Sequence, residues 1–115
     1  MLSKKQAYLA VFYYLDKLYD EEPDEALGDL LSSMNPYLFS DSNSADPATW
    51  SDWVKCIDSI TKSDYVSQSD TFRAMISFLQ FHEREFGYAL SQIVRKINSL
   101  GQNQEWMSSV NGVQE

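Results

Sequence analysis

The sequence predicts an all-α fold, with a single domain built as a bundle of four to five helices. The chain has 115 residues, 43% hydrophobic and 14% aromatic, which is enough for one buried core. It contains only four Gly and three Pro, fewer than the many turns of a β-sandwich require. Apolar residues recur at helical spacing along most of the chain. We expect residues 1–100 to form the helical domain and 101–115 a polar C-terminal tail.

Helix 1 is predicted near residues 4–20. Ser3 and Gln6 have the spacing of a capping box, in which each side chain satisfies a free backbone amide. Aromatic and aliphatic residues surround most of the helix, and Tyr13 and Tyr14 widen this apolar surface. Such a helix either lies at the centre of a fold or presents a face to another chain.

Helix 2 is predicted near residues 23–34. Pro23 suits the first helical position, where its missing amide proton costs nothing. Asp24 and Glu25 follow in the first turn, where the helix dipole favours acids. Asn35-Pro36 is the stop signal.

Helix 3 is predicted near residues 47–62, after a polar loop. Asp46 has the position of an N-cap and Pro47 that of the first helical residue. Two Trp, two Ile and one Val share one face. Lys62 places a cation near the C-terminal end, where the dipole favours it.

Helix 4 is predicted as one long helix near residues 69–100, because apolar residues recur every seven positions, as in a coiled-coil seam. Gly87 is the position at which this helix could either kink or split, since Gly costs about 1 kcal/mol relative to Ala within a helix. The tail beyond is expected to fray, with Trp106 and Met107 as the residues that can pack back onto the domain. The seam residues are Phe72, Leu79, Phe86, Ile93 and Leu100.

The chain is acidic, with a net charge of −8 at pH 7 and a pI near 4.4. Residues 16–70 hold 13 acids and three bases, whereas the rest of the chain holds four acids and six bases. This charge repels nucleic acid and anionic membranes, so neither is an expected partner. It favours a basic protein partner.

The sequence offers little for catalysis. A nucleophile needs a base beside it, but the only His, His82, and the only Cys, Cys56, lie on different predicted helices. The pair Glu21 and Glu25 belongs to a solvated acidic run. Segment 41–52 resembles an EF-hand only weakly, because it lacks the glycine and the bidentate Glu of that loop. We therefore expect no enzyme activity, no metal and no cofactor.

One Cys excludes an internal disulfide, which suits a reducing cytosol. No signal peptide is recognised, because no small-residue cleavage site follows the apolar run Ala7–Leu15. That run is also too short to cross a bilayer. We expect a cytoplasmic protein.

A surface rich in acids has two interpretations: it keeps the protein soluble, or it binds a basic protein, with aromatic residues as hot spots. Tyr13, Tyr14, Tyr37, Trp50 and Trp53 are the aromatic candidates, although each also fits the core. The predicted partner-binding residues are Asp16, Asp20, Glu21, Glu22, Asp24, Glu25, Asp29, Asp41, Asp46, Asp52, Tyr14, Tyr37 and Trp50.

Three stretches within residues 6–60 carry a family resemblance. They are an aromatic-rich first helix (Ala7-Tyr8-x-Ala10-x-x-Tyr13-Tyr14-Leu15), the segment Leu27-Gly28-Asp29-Leu30-Leu31-Ser32-Ser33-Met34, and Ala45-Asp46-Pro47-Ala48-x-Trp50-x-Asp52-Trp53. Together they resemble small acidic bacterial immunity proteins, which are encoded beside polymorphic toxins or toxins of contact-dependent growth inhibition. The third stretch is the most distinctive.

The resemblance implies stoichiometric neutralisation of a cognate toxin in the cytoplasm, by blocking its active site or substrate-binding surface. If the toxin is a nuclease, its substrate-binding surface is basic, and an acidic inhibitor would mimic the polyanionic substrate. An alternative from another class is a homo-oligomeric structural or adaptor protein, a homodimer in its simplest form, associating through helix 1 and the helix 4 seam.

Overall fold

The computed structural model describes residues 1–35 and 47–114, and in those ranges it contains six α-helices and one two-stranded sheet. The all-α class is confirmed, but with six helices instead of four to five. The count rises because the predicted long helix is divided and the predicted tail is helical. The elements are β1 Leu2–Ser3, α1 Lys4–Glu21, α2 Glu25–Met34, α3 Pro47–Ile60, β2 Tyr65–Val66, α4 Gln68–Phe86, α5 Ser91–Leu100 and α6 Gln104–Gln114.

Helix α1 is the central element, packed against α2, α3, α4 and α6. Its predicted capping box is present: Ser3 Oγ accepts the Gln6 amide at 3.1 Å, and Gln6 Oε1 accepts the Ser3 amide at 2.9 Å. Most of the broad apolar surface of α1 is covered by these neighbours, whereas Tyr13 remains exposed. The buried residues of α1 are Ala7, Tyr8, Ala10, Val11, Phe12, Tyr14, Leu15 and Leu18.

Helix α2 begins two residues later than predicted. Asp24 is its N-cap and accepts the Leu27 amide at 3.0 Å, so Pro23 precedes the helix and does not open it. An Asp N-cap adds a hydrogen bond to a backbone amide that would otherwise lack a partner. Pro at the first helical position adds no hydrogen bond, so Asp24 stabilises the start of α2 more than Pro23 would. The helix ends at Met34, immediately before the predicted stop.

Helix α3 begins at Pro47, as predicted, and ends at Ile60. The predicted N-cap, Asp46, lies outside the described residues. Lys62 follows the helix and donates from Nζ to the Asp58 carbonyl at 3.0 Å, which places its cation at the C-terminal end. The indole N–H of Trp53 donates to the Lys4 carbonyl at 3.1 Å, fixing α3 to the start of α1.

The predicted long helix is two helices, and the break falls at Gly87. This glycine is the C-cap of α4 in the left-handed conformation, with φ of +72°, and its amide donates to the Glu83 carbonyl at 3.0 Å. A continuous seam is therefore wrong, and two of its members, Phe86 and Leu100, are exposed.

The prediction of a frayed tail is wrong for residues 104–114, which form α6 and pack on α1. Trp106 is fully buried, with its ring centroid 5.4 Å from those of both Tyr14 and Phe72. Met107 remains exposed. Burial of the Trp106 side chain thus anchors α6, although the polar composition of this segment had predicted that it would be exposed to solvent.

Strands β1 and β2 pair antiparallel, with Leu2 opposite Val66 and Ser3 opposite Tyr65. This short ladder ties the start of the chain to the connection between α3 and α4, and it was not predicted. None of the helices in the described ranges has the length and apolar character needed to cross a membrane.

Candidate partner-binding surface

Four of the acidic residues predicted to bind a partner are exposed and lie on two neighbouring helices, α1 and α2. Asp16 and Asp20 lie on α1, Glu25 and Asp29 lie on α2, and all four are exposed. Among the described residues, none of them has an ion-pair partner within 4 Å. We call these four residues the acidic surface.

Three hollows connect the members of the acidic surface. A groove of about 440 Å³ between α1 and α2 is lined by Asp16, Glu25 and Asp29. A second hollow, between α1 and α6, shares Asp16 and adds Asp20, together with Tyr13 and one base, Lys17. A third hollow, beside the α4–α5 connection, shares Glu25 and Asp29. The carboxylates therefore border one continuous region of the surface.

Local packing shapes the first groove. The ring of Tyr19 lies so close to Gly28 that a Cβ atom there would approach it to 3.0 Å. Gly28, the glycine of the Gly-Asp-Leu-Leu stretch, thus lets α1 and α2 approach each other. Asp16 and Asp29 are exposed and line the same groove as Tyr19 and Gly28.

The other acids of the run have different surroundings. Asp24 caps α2. Glu22 pairs with Lys96 of α5 at 3.1 Å, which ties the end of α1 to α5. Glu21 is exposed and contributes to the field around the Tyr14 hydroxyl. Reversing the charge of Asp24 or Glu22 would therefore disturb the fold as well as the surface potential.

Asp52 lies on another part of the surface, in a hollow between α3 and α4 that it shares with Lys55, Cys56 and Arg84. Two bases in that hollow offset its charge. Three further predicted contact residues, Tyr37, Asp41 and Asp46, lie outside the described residues.

The predicted aromatic anchors belong to the interior or to its edge. Tyr14 is fully buried, so its assignment to a partner surface is wrong; its ring packs edge-on against Trp106. Trp50 is half-buried and packs edge-on against Tyr8 at 5.3 Å. Trp53 is fully buried. Helical spacing identified these rings as apolar but did not distinguish core from surface.

Two of the exposed or half-exposed rings that sequence reasoning missed lie close together in the chain. Phe86, the last residue of α4, is 57% exposed, and Tyr88 follows in the α4–α5 connection. Phe86 was assigned to the seam, and Tyr88 received no role. The signal that could have revealed them is their position on either side of Gly87, where a helix break turns neighbouring side chains outward. Tyr13, one of the aromatic candidates, is also exposed.

The two candidate reactive groups have ordinary structural environments. His82 is buried among aromatic rings, and its Nδ1–H donates to the Phe78 carbonyl at 3.0 Å. The pKa of the Cys56 thiol is raised to about 11, mainly by burial and also by the Asp52 carboxylate, with Arg84 partly opposing the shift. Such a thiol is protonated at neutral pH and weakly nucleophilic. In residues 1–35 and 47–114, no three metal-ligating side chains converge.

Comparison with known proteins adds no relative: no protein-family model, no curated protein and no solved structure matches the chain.

Proposed function

We propose that this protein is an immunity protein that binds and neutralises a basic bacterial toxin, with a nuclease as the toxin class that fits best. The observation that carries the proposal is the acidic surface, whose four exposed carboxylates lack ion-pair partners among the described residues. The resemblance of residues 6–60 to small acidic immunity proteins supplies the toxin as the partner.

The charge arrangement suits association with a basic protein. A carboxylate without an ion-pair partner in the chain keeps its negative charge uncompensated. Several such carboxylates in one region repel each other, which destabilises the folded state. A basic partner relieves that repulsion on binding. Opposite potentials also speed encounter, raising association rates above those of neutral surfaces.

A nuclease must bind a polyanion, so its substrate-binding surface carries Lys and Arg. Carboxylates held on two packed helices can occupy that surface in place of phosphates and exclude the substrate. The Asp24 cap and the close contact of Tyr19 with Gly28 fix α2 against α1. A preformed surface of this kind binds with less loss of conformational freedom than a mobile one.

Co-expression tests the proposal directly. The product of the gene directly upstream of the one for this chain, or the C-terminal domain of that product, is expressed in bacteria, alone and together with this chain. We expect growth arrest by that domain alone, restored growth with the chain, and co-purification as a one-to-one complex. An upstream product that is harmless, or that arrests growth equally in both cultures, overturns the proposal.

Charge reversal tests the part assigned to the acidic surface. Asp16→Lys, Glu25→Lys and Asp29→Lys should each slow association with the toxin domain by about three- to tenfold at low salt. Asp64→Lys is the matched control, because Asp64 is also exposed and unpaired among the described residues but lines none of the three hollows. Equal rates for all four variants in stopped-flow measurements exclude the acidic surface from the encounter.

The alternative, a homo-oligomeric adaptor, relied on α1 and on a continuous helix 4 seam. In the structure other helices cover most of the apolar residues of α1, and the seam is divided at Gly87. No observation therefore favours this alternative. Light scattering on the purified chain measures its oligomeric state.

A further inference from the structure

The connection between α4 and α5 is held in one conformation by the Glu83 carboxylate. Glu83 Oε2 accepts the Leu90 amide at 3.1 Å and the Ser91 hydroxyl at 2.5 Å. The Gly87 amide donates a hydrogen bond to the Glu83 carbonyl, and the Leu90 amide also donates to the Tyr88 carbonyl at 2.9 Å. Residues between the two helices are thus fixed before any partner binds.

This fixed turn presents an aromatic platform, which we define as Phe86 and Tyr88. Their ring centroids are 6.3 Å apart, and the buried His82 ring supports both, at 5.4 Å from Phe86 and 6.2 Å from Tyr88. Phe86 is 57% exposed, close to the 58% of Tyr65, the most exposed aromatic residue among those described. The platform is therefore apolar, rigidly supported and open to solvent.

Carboxylates border the platform on one side. Tyr88 lines a hollow of about 340 Å³ together with Asp24, Glu25 and Asp29, and no Lys or Arg lines that hollow. The nearby Arg84 lies over a different ring, Phe81, at 6.0 Å from its centroid, and also pairs with Glu85. Among the described residues, neither ring of the platform has a cation over it.

We propose that the aromatic platform and the bordering hollow form a binding site for an arginine side chain of the basic partner. The guanidinium stacks on the platform at Tyr88, the ring that lines the hollow, and its N–H groups bind the carboxylates of Glu25 and Asp29. Phe86 extends the stacking surface beside Tyr88, with 6.3 Å between the two ring centroids. Arginine fits this combination because its planar cation stacks on aromatic faces and binds carboxylates through two parallel hydrogen bonds. This inference rests on the proposed function and adds an anchor to the acidic surface.

A second copy of the chain is a poorer occupant of the platform. In a symmetric dimer formed through the platform, each copy would bring its own Glu25 and Asp29 toward the same carboxylates, and each chain carries a net charge of −8. The carboxylates therefore favour a positively charged group, and the exposed aromatic ring favours a planar group that can stack on it.

Two capped peptides, hexa-arginine and hexa-lysine, separate the platform from general electrostatic attraction. Binding to the full chain is measured by isothermal titration calorimetry and by NMR of the aromatic side chains in about 0.15 M NaCl. We expect hexa-arginine to bind about three- to tenfold more tightly than hexa-lysine and to shift the Phe86 and Tyr88 ring signals.

Three variants complete the test. Phe86→Ala should remove the preference for arginine, Tyr65→Ala should leave it unchanged as the equally exposed control, and Glu25→Gln/Asp29→Asn should weaken binding of both peptides. Circular dichroism confirms that each variant is folded. Equal binding of the two peptides to the wild type, binding of neither, or an arginine preference that survives Phe86→Ala overturns the site.

A dimer of the wild-type chain that dissociates in Phe86→Ala also overturns the site, because a second copy would then cover the platform. The proposed function is tested separately, by the growth of bacteria that co-express this chain and the upstream gene product. A chain that rescues growth but does not distinguish the peptides retains its function and loses only the arginine site.

Discussion

Two tyrosines of α1, both fully buried, differ in how their hydroxyls are satisfied. The Tyr8 hydroxyl donates to the Met34 carbonyl at 2.5 Å, whereas the Tyr14 hydroxyl has no hydrogen-bond partner among the described residues. Met34 is the last residue of α2, where carbonyls lack partners within the helix. The same residue type thus links two helices at one position and leaves an unsatisfied hydroxyl at the other.

Removing each hydroxyl should therefore have unequal effects. Tyr8→Phe should lower the free energy of unfolding by about 1–2 kcal/mol, because the Met34 carbonyl loses its donor. Tyr14→Phe should change it by less than about 0.5 kcal/mol, or raise it, because an unpaired buried hydroxyl disappears. Urea unfolding measures both. A Tyr14→Phe loss as large as that of Tyr8→Phe contradicts the assignment.

Alkaline pH should weaken the fold through Tyr14. Burial raises the pKa of its hydroxyl to about 12, helped by the charges of Glu105 and Glu21. In the unfolded chain this hydroxyl loses its proton near its ordinary pKa of 10, while the folded chain retains it. Its contribution to stability is thus complete below pH 10 and is lost as the pH rises toward 12.

Urea unfolding of the wild type across that window should show falling stability, with a shallower slope in Tyr14→Phe. Cys56, whose pKa is raised to about 11 from 9, should add a similar loss that begins at lower pH. Parallel slopes for the wild type and Tyr14→Phe argue against the raised pKa.

At the scale of single helices, the sequence predicted what depends on near neighbours. The capping box of α1 and the break at Gly87 are decided within about one helical turn, so local residue types revealed both. Helix α6 depends on Trp106 entering a space between Tyr14 and Phe72, which are distant in the sequence. The residues near Trp106 in the sequence do not reveal that such a space exists, so residues 104–114 were predicted to belong to a polar tail.

The left-handed turn at Gly87 leads to a matched pair of glycine variants. Gly87→Ala should destabilise the protein by about 1 kcal/mol or more, because φ of +72° is unfavourable for Ala. Gly112→Ala should be neutral or stabilising by up to about 1 kcal/mol, because Gly112 lies within α6 and nothing crowds a Cβ there. Thermal unfolding compares the two. A Gly87→Ala variant as stable as the wild type excludes the strained turn.

Helix α6 supplies a second pair of variants. Trp106→Ala should cost about 3–5 kcal/mol, as expected for a large aromatic residue removed from a core, and should reduce helical circular dichroism. Met107→Ala, at an exposed neighbouring position, should cost less than about 1 kcal/mol. Similar losses from both variants contradict the docking of α6 through Trp106.

Across the whole molecule, composition predicted the sign of the surface field but not its location. Asp16, Asp20, Glu25 and Asp29 were among the predicted contact residues, yet only the packing of α1, α2 and α6 shows that they border one region. The aromatic residues were harder to place, because core and surface rings share the same helical spacing. Burial is decided by the other helices, which is why Tyr14 was misassigned.

Concentrated charge should make the stability of the whole molecule depend on salt. Raising NaCl from about 0.01 to 0.3 M should raise the melting temperature by a few degrees, because screening weakens repulsion within the acidic surface. Asp16→Asn/Asp29→Asn should be more stable at low salt and respond less to NaCl. A melting temperature that falls with NaCl indicates that attractive ion pairs dominate.

The contact between α1 and α6 also bears on how the molecule is made. Gln6 Nε2 donates to the Val113 carbonyl at 3.2 Å, and the Trp106 indole fills space beside Tyr14, so an early segment of the polypeptide relies on a late one. During translation the first helix emerges from the ribosome with part of its apolar side uncovered, and it stays so until residues 104–114 have left the exit tunnel. Folding of this part of the chain is therefore completed only after residues 104–114 have emerged, and a nascent chain stalled before that point would expose the uncovered surface of α1 to chaperones.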